Sequence, residues 1–246
     1  MVNEALAFET ESPLDRIIVA LDCGRDEALA LADALTGRAR WMKVGMTLYY
    51  TTGPAIVHEL KDRGFKVFVD LKLHDIPHQV SGAAEALVDA GADMFTVHAS
   101  GGVPMMSAAA DSAKRIAAQN NIAEPISLGV TVLTSMDDET LASVGVPTTA
   151  ETQVERLAGL VAQSGLTGVV CSPREAQLMR RLLGPHAAVV TPGIRPAWAA
   201  AQDQKRIMTP VQAFEAGSSH LVIGRPITQA QDPAAAFERI REELSQ

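Results

Sequence analysis

Val67-Phe68-Val69-Asp70-Leu71-Lys72-Leu73-His74-Asp75-Ile76-Pro77 reads as an apolar strand that runs out into two acids and a lysine. Side chains alternate faces along a strand, so Asp70 and Lys72 share one face while Val67, Val69 and Leu71 point to the other. A carboxylate and an ammonium on one half-buried face are unfavourable unless each offsets the other's lost hydration. A plain ion pair closing a core layer meets that condition, and so does a reactive pair at the mouth of a site. The rest of the chain decides between them.

Short β-branched runs recur on either side of this stretch and include it: Ile17 to Leu21, Trp41 to Val44, Lys66 to Leu71 and Met94 to Val97, then Ile126 to Val132, Gly168 to Cys171, Ala187 to Val190 and His220 to Ile223. Amphipathic segments rich in Ala and Leu follow them, at Asp26 to Leu35, Ala55 to Arg63, Val80 to Ala90, Met105 to Ala118, Thr152 to Gln163, Arg174 to Leu183, Val211 to Ala216 and Pro233 to Glu243. Eight strand-then-helix units predict an α/β fold, a single-domain (β/α)8 TIM barrel, which commonly takes about 250 residues. A doubly wound open sheet is the alternative, but no Gly-x-Gly-x-x-Gly follows the first strand, which weakens its dinucleotide-binding form. The barrel is expected over residues 15–246, with residues 1–14 as a flexible N-terminal arm.

Composition narrows the function classes. Hydrophobic residues make up 47% of the chain and aromatic ones only 4%, which suits a core of Ala, Val, Leu and Ile around buried parallel strands. A formal charge of -8 argues against general nucleic-acid or anionic-membrane binding, both of which call for a basic surface. An anionic ligand must then be met by local cations. Cys23 and Cys171 lie far apart without a Cys-x-x-Cys, so neither a disulfide framework nor a zinc ribbon is indicated, and a cytoplasmic setting is expected. The acidic N-terminus and the lack of a long apolar run predict neither secretion nor a membrane span.

Barrels place their chemistry on the rim just after the strands, where Asp22, Lys43, Asp70, Lys72, His98, Thr134, Arg195 and Arg225 fall. Ile223-Gly224-Arg225-Pro226 puts an unobstructed backbone amide beside a guanidinium at the end of the last strand, which suits a phosphate. Residues 191–210, with Arg195 and Gln204, form the longest irregular segment and are expected to act as a ligand loop. Lys43 interrupts an apolar strand, either as a lysine snorkelling at the barrel mouth or as one member of an alternating chain with Asp70, Lys72 and Asp75. Such a chain supplies a proton donor and a fixed field without a cofactor. His74, His78 and His98 allow a metal reading, opposed by Pro77 between the first two and by the adjacent Lys72. No Gly-x-Ser-x-Gly elbow supports a hydrolase.

Taken in order, seven segments resemble the bacterial orotidine 5'-phosphate decarboxylase family. They are Val19-Ala20-Leu21-Asp22, Lys43-Val44-Gly45, Asp70 to Pro77, Val130-Thr131-Val132-Leu133-Thr134-Ser135, Thr191-Pro192-Gly193-Ile194-Arg195-Pro196, Arg206-Ile207-Met208-Thr209-Pro210 and Val222 to Thr228. The resemblance implies a homodimeric lyase of pyrimidine biosynthesis that converts orotidine 5'-monophosphate to UMP and CO2 with neither metal nor organic cofactor. By matched position Lys72 would donate the proton to C6, Asp70 would face the departing carboxylate, and Lys43 with Asp75 would complete the charge network. Asp75 would reach across the dimer interface to the partner's ribose, with Ile76 and Gln79 beside it. Asp22 would bind ribose, Thr134 the pyrimidine, Gln204 both base and phosphate, and Gly224 with Arg225 the phosphate. Arg195 would be a contact from the substrate loop.

One departure stands out: family members commonly continue Asp-Ile-Pro with Asn-Thr, whereas this chain has His78-Gln79. Gln79 retains both a donor and an acceptor for the cross-subunit contact. Two other functions compete. A sister decarboxylase or aldolase acting on a sugar phosphate would share Asp-x-Lys-x-x-Asp without the Gly-Ile-Arg-Pro, Gln204 and Ile-Met-Thr-Pro set. A catalytically dead nucleotide-binding regulator would keep the phosphate grip, but it would have no need of Lys43, Asp70, Lys72 and Asp75 together.

Overall fold

In the computed structural model, residues 12–199 and 208–245 are described. Eight parallel strands close in chain order: β1 (Ile17–Leu21), β2 (Trp41–Gly45), β3 (Lys66–Leu73), β4 (Met94–His98), β5 (Ile126–Val130), β6 (Gly168–Val170), β7 (Ala188–Thr191) and β8 (His220–Ile223). β8 pairs back onto β1 through Ile18 and Val222, so no sheet edge remains open. The expected (β/α)8 barrel is the observed fold.

The helices are α1 (Arg25–Leu35), α2 (Met46–Thr52), α3 (Ala55–Asp62), α4 (Pro77–Asp89), α5 (Gly102–Asn120), α6 (Asp138–Ser143), α7 (Ala150–Ser164), α8 (Ala176–Leu183), α9 (Pro210–Glu215), α10 (Arg225–Thr228) and α11 (Pro233–Leu244). Their starts are legible in local chemistry. Thr149 and Asp232 cap α7 and α11 through their side chains, and Thr209 with Gln212 forms a capping box at α9. The short helices α2, α6 and α10 have no counterpart in the sequence reading. Met46-Thr47-Leu48-Tyr49-Tyr50-Thr51-Thr52 is poor in strong helix formers, and its helix depends on leaving β2 directly and burying Leu48.

Alternation along the strands splits the core in two. Ile18, Ala20, Trp41, Phe68, Met94, Leu128, Ala188, Val190 and Val222 fill the barrel interior, while Ile17, Val19, Leu21, Met42, Val44 and their like pack outward on the helices. Trp41 and Lys43 are therefore both inward, Trp41 in the apolar core and Lys43 at the open mouth. At Gly168 an added Cβ would collide with the Ala188 carbonyl on β7, so the β6–β7 approach requires glycine.

Below the barrel, Ser12 caps a 3-10 turn over Pro13–Arg16, and Arg16 donates to the Ser219 carbonyl and covers the Phe214 ring. Described structure thus begins slightly before the expected domain start at residue 15, and residues 1–11 lie outside the described residues.

His220 is wholly buried beside this plug, 3.0 Å from the Ser219 hydroxyl and edge-on to Trp41. Burial, and after it the charges of Arg16, Lys66 and Arg180, push its pKa down from 6.5 to about 3. Because the unfolded chain accepts this proton first, the stability contributed by neutral His220 is complete above 6.5 and is lost as pH falls toward 3. The slope is about 1.4 kcal/mol per pH unit. Urea unfolding followed across that range should show the decline, and His220→Asn should flatten it. An identical slope in the variant would remove His220 from the account.

Candidate active site

A cleft of about 290 Å³ opens at the C-terminal mouth of the barrel, lined among others by Asp22, Lys43, Asp70, Lys72, Thr134, Arg195, Gly224 and Arg225. These eight predicted residues come from six of the strand ends, brought together by closure of the sheet. Asp75, Ile76 and Gln79 are exposed and do not line this cleft. Gln204 lies outside the described residues.

Its charged wall is a chain of alternating sign. Lys72 Nζ donates to both Asp70 carboxylate oxygens at 2.9 Å, Lys43 Nζ stands 3.8 Å from Asp70 Oδ2, and Lys43 Nζ donates to Asp22 Oδ1 at 2.9 Å. Lys43 and Asp70 are the sheltered members, with side chains 9% and 14% exposed, whereas Asp22 is 69% exposed. Within one chain Asp22, not Asp75, therefore completes the alternating network expected from the sequence. The Asp75 carboxylate accepts the Ile76 amide at 2.6 Å because the chain turns immediately into α4 after β3. Gly45 makes room for the network, since a Cβ there would stand 3.2 Å from both Asp22 Oδ1 and Lys43 Nζ.

Asp70 and Lys72 do meet on the cleft face, but not through a regular pleat. Val69 pairs with Phe95 and Leu73 with Val97, so Asp70, Leu71 and Lys72 all lie opposite Thr96 alone. Lys72 takes φ +53°, the left-handed region, at a cost of about 1–3 kcal/mol for a residue other than glycine. Such strain in a bulge re-aims a side chain and tends to accompany function. The fully buried Thr96 holds the distortion: its hydroxyl accepts the Lys72 amide at 2.9 Å and donates to Asp70 Oδ1 at 3.0 Å.

Next to the bulge, His74 and His98 rings tilt against each other at 5.4 Å between centroids. Burial first, then the nearby His74 and Lys72, lower the His98 pKa. Among the described residues no group of three or more His, Cys, Asp or Glu is placed to hold a metal ion.

Across the mouth, beyond β1 and β2, lie Gly224 and Arg225. Arg195 is buried, donating from Nη1 to the Ile194 carbonyl, and its amide donates to the Met208 carbonyl at 2.9 Å. Ile194 and Met208 form a parallel bridge, which ties together the two ends of the segment expected to be a ligand loop. Between the charged chain and Arg225 the floor is apolar: Ala20, Phe68, Val130, Val170 and Val222. These residues escaped the sequence reading because apolar strand ends carry no chemical signature, although their inward parity marks them. The arrangement can seat a planar, weakly polar body against ionic groups while an anionic tail meets guanidinium and backbone donors.

Residues 15–240 match the family model described as orotidine 5'-phosphate decarboxylase / HUMPS family. The chain is 49% identical over 233 residues to an orotidine 5'-phosphate decarboxylase from Moorella thermoacetica, covering 94% of this chain and 92% of that protein. It is 45% identical to one from Pectobacterium atrosepticum, over 99% of this chain and 98% of the relative. A crystal structure of the decarboxylase from Lactobacillus acidophilus superposes with a TM-score of 0.84 at 38% identity, covering 94% of this chain and all of the other. With the match spanning nearly the whole barrel, this chain belongs to the orotidine 5'-phosphate decarboxylase family.

Proposed function

We propose that this chain decarboxylates orotidine 5'-monophosphate to UMP and CO2 in pyrimidine biosynthesis, with Lys72 as the proton donor and no metal or organic cofactor. The observation that carries this reading is the Lys72–Asp70–Lys43–Asp22 chain in the same cleft as Arg225 and Gly224. As the bond from C6 to the carboxylate breaks, its electron pair stays on C6 and CO2 leaves. The Lys72 ammonium stabilises that growing negative charge most in the transition state, then transfers its proton to C6 and regains one from solvent. Asp70 faces the departing carboxylate while holding Lys72 in place.

Asp22 binds ribose, Thr134 the pyrimidine, and Gly224 with Arg225 the phosphate. Arg195 is a contact from the substrate loop, and Gln204 binds both base and phosphate. Asp75, Ile76 and Gln79 act on the partner subunit's nucleotide in a homodimer, a role supported by their position outside their own cleft. The exposed Met46 and Tyr50 of α2 and Ile76 at the start of α4 follow the adjacent strands β2 and β3 and offer an apolar surface for that contact. A cytoplasmic setting is supported by two unbridged cysteines.

Incubating purified protein with the nucleotide and separating products by chromatography tests the assignment: one UMP should appear for each substrate consumed, and unconverted substrate would overturn it. Arg225→Ala removes a charged hydrogen bond to phosphate and should cost about 1.5–3 kcal/mol in kcat/KM, roughly tenfold to a hundredfold. An unchanged kcat/KM would show that Arg225 is not the phosphate clamp.

A further inference from the structure

We infer that Thr96 is a positioning residue for the reaction, whose hydroxyl fixes Asp70 and the left-handed Lys72 as one unit. This inference rests on the decarboxylase reading proposed above. Thr96 touches no part of the cleft; it sits wholly buried in β4 and acts through the two residues opposite it. A hydroxyl has one hydrogen and two lone pairs, and here the hydrogen goes to Asp70 Oδ1 while a lone pair receives the Lys72 amide.

The geometry explains why a side chain must do this. Between the pairs Val69–Phe95 and Leu73–Val97, three residues of β3 face one of β4, so the ladder cannot give each backbone group a partner across the strand. The Thr96 hydroxyl supplies the bond the Lys72 amide would otherwise lack. It also fixes the carboxylate plane, so that Asp70 offers both oxygens to Lys72 Nζ at 2.9 Å and Oδ2 to Lys43 at 3.8 Å. Valine has nearly the same shape but neither bond, and it would leave the Lys72 amide buried without a partner. The backbone would then be free to relax from φ +53°, carrying the ammonium away from the position of C6. A misplacement of the order of 1 Å can cost about a hundredfold in rate.

The test compares wild type, Thr96→Val, Thr96→Ser and Thr96→Ala for kcat and KM, for UMP affinity, and for folding by circular dichroism. Thr96→Val is expected to lower kcat by about a hundredfold while UMP affinity stays near wild type, because the phosphate contacts lie beyond two intervening strands. Thr96→Ser, which keeps the hydroxyl, should restore most of kcat. If Thr96→Val does not fold, Thr96→Ala removes the same hydroxyl with less bulk and is judged in its place. A folded Val or Ala variant with wild-type kcat overturns the inference, as does loss of kcat and UMP affinity in equal proportion. Equal loss of kcat in the Ser variant also overturns it. If wild type itself fails to convert the nucleotide, the reaction assignment falls first and takes this inference with it. Activity in wild type with none lost in Thr96→Val removes Thr96 alone.

Discussion

Lys72→Ala is expected to abolish nearly all turnover while leaving UMP affinity close to that of the wild type. General acid catalysis is worth about 10²–10⁴-fold, and an ammonium placed against a developing carbanion adds electrostatic stabilisation, typically about 10²–10³-fold for one lost donor. These effects share one group and do not multiply in full, so a fall of about 10⁴-fold in kcat is predicted. Affinity is expected to persist because Arg225 and Gly224, the proposed phosphate contacts, directly follow β8, which β1 and β2 separate from β3. The variant also leaves Asp70 with Lys43 at 3.8 Å and Thr96 at 3.0 Å, so its charge keeps partners and the barrel should fold. Near-normal kcat in a folded Lys72→Ala protein would refute the proton-donor role.

Asp75 yields the second large effect, through assembly. Its exposed position and its bond to the following amide suit a side chain that works in a neighbour's site. Asp75→Asn and Lys72→Ala should each be nearly inactive, yet mixing them should restore activity. A heterodimer of the two carries one site with both defects and one with neither, so an equal, fully exchanged mixture should approach about a quarter of wild-type activity, provided sites act independently. Subunit exchange is established first, by native mass spectrometry of isotope-tagged chains. Exchange without recovery would show that Asp75 serves its own subunit or that the two sites are coupled.

Both predictions were legible in the sequence to different depths. Position at the strand ends marked Lys43, Asp70 and Lys72 as rim residues, and alternation put Asp70 and Lys72 on one face because it is a local property of each strand. The same parity argument did not anticipate the two extra residues in β3 or the left-handed Lys72. A bulge is set by the strand across from it, and its anchor, Thr96, reads from sequence only as a polar residue inside Met94-Phe95-Thr96-Val97-His98. Asp22 was expected only as a ribose contact, yet it pairs with Lys43, because β1 and β2 register brings Ala20 beside Lys43 and thus their rim residues together. The expected β5 runs through Val132, but the strand ends at Val130, and the apolar Val132 and Leu133 beyond the last paired position line the cleft instead. Propensity could not signal that change of use.

The central claim is that the residues of this cleft decarboxylate the nucleotide without a metal ion. The most direct measurement follows the absorbance of orotidine 5'-monophosphate with protein stripped by a chelator and assayed in its continued presence, quantifying UMP and CO2 together. Undiminished conversion, with UMP and CO2 released in equal amounts, is the predicted result; activity lost on chelation and restored by one divalent ion would contradict it.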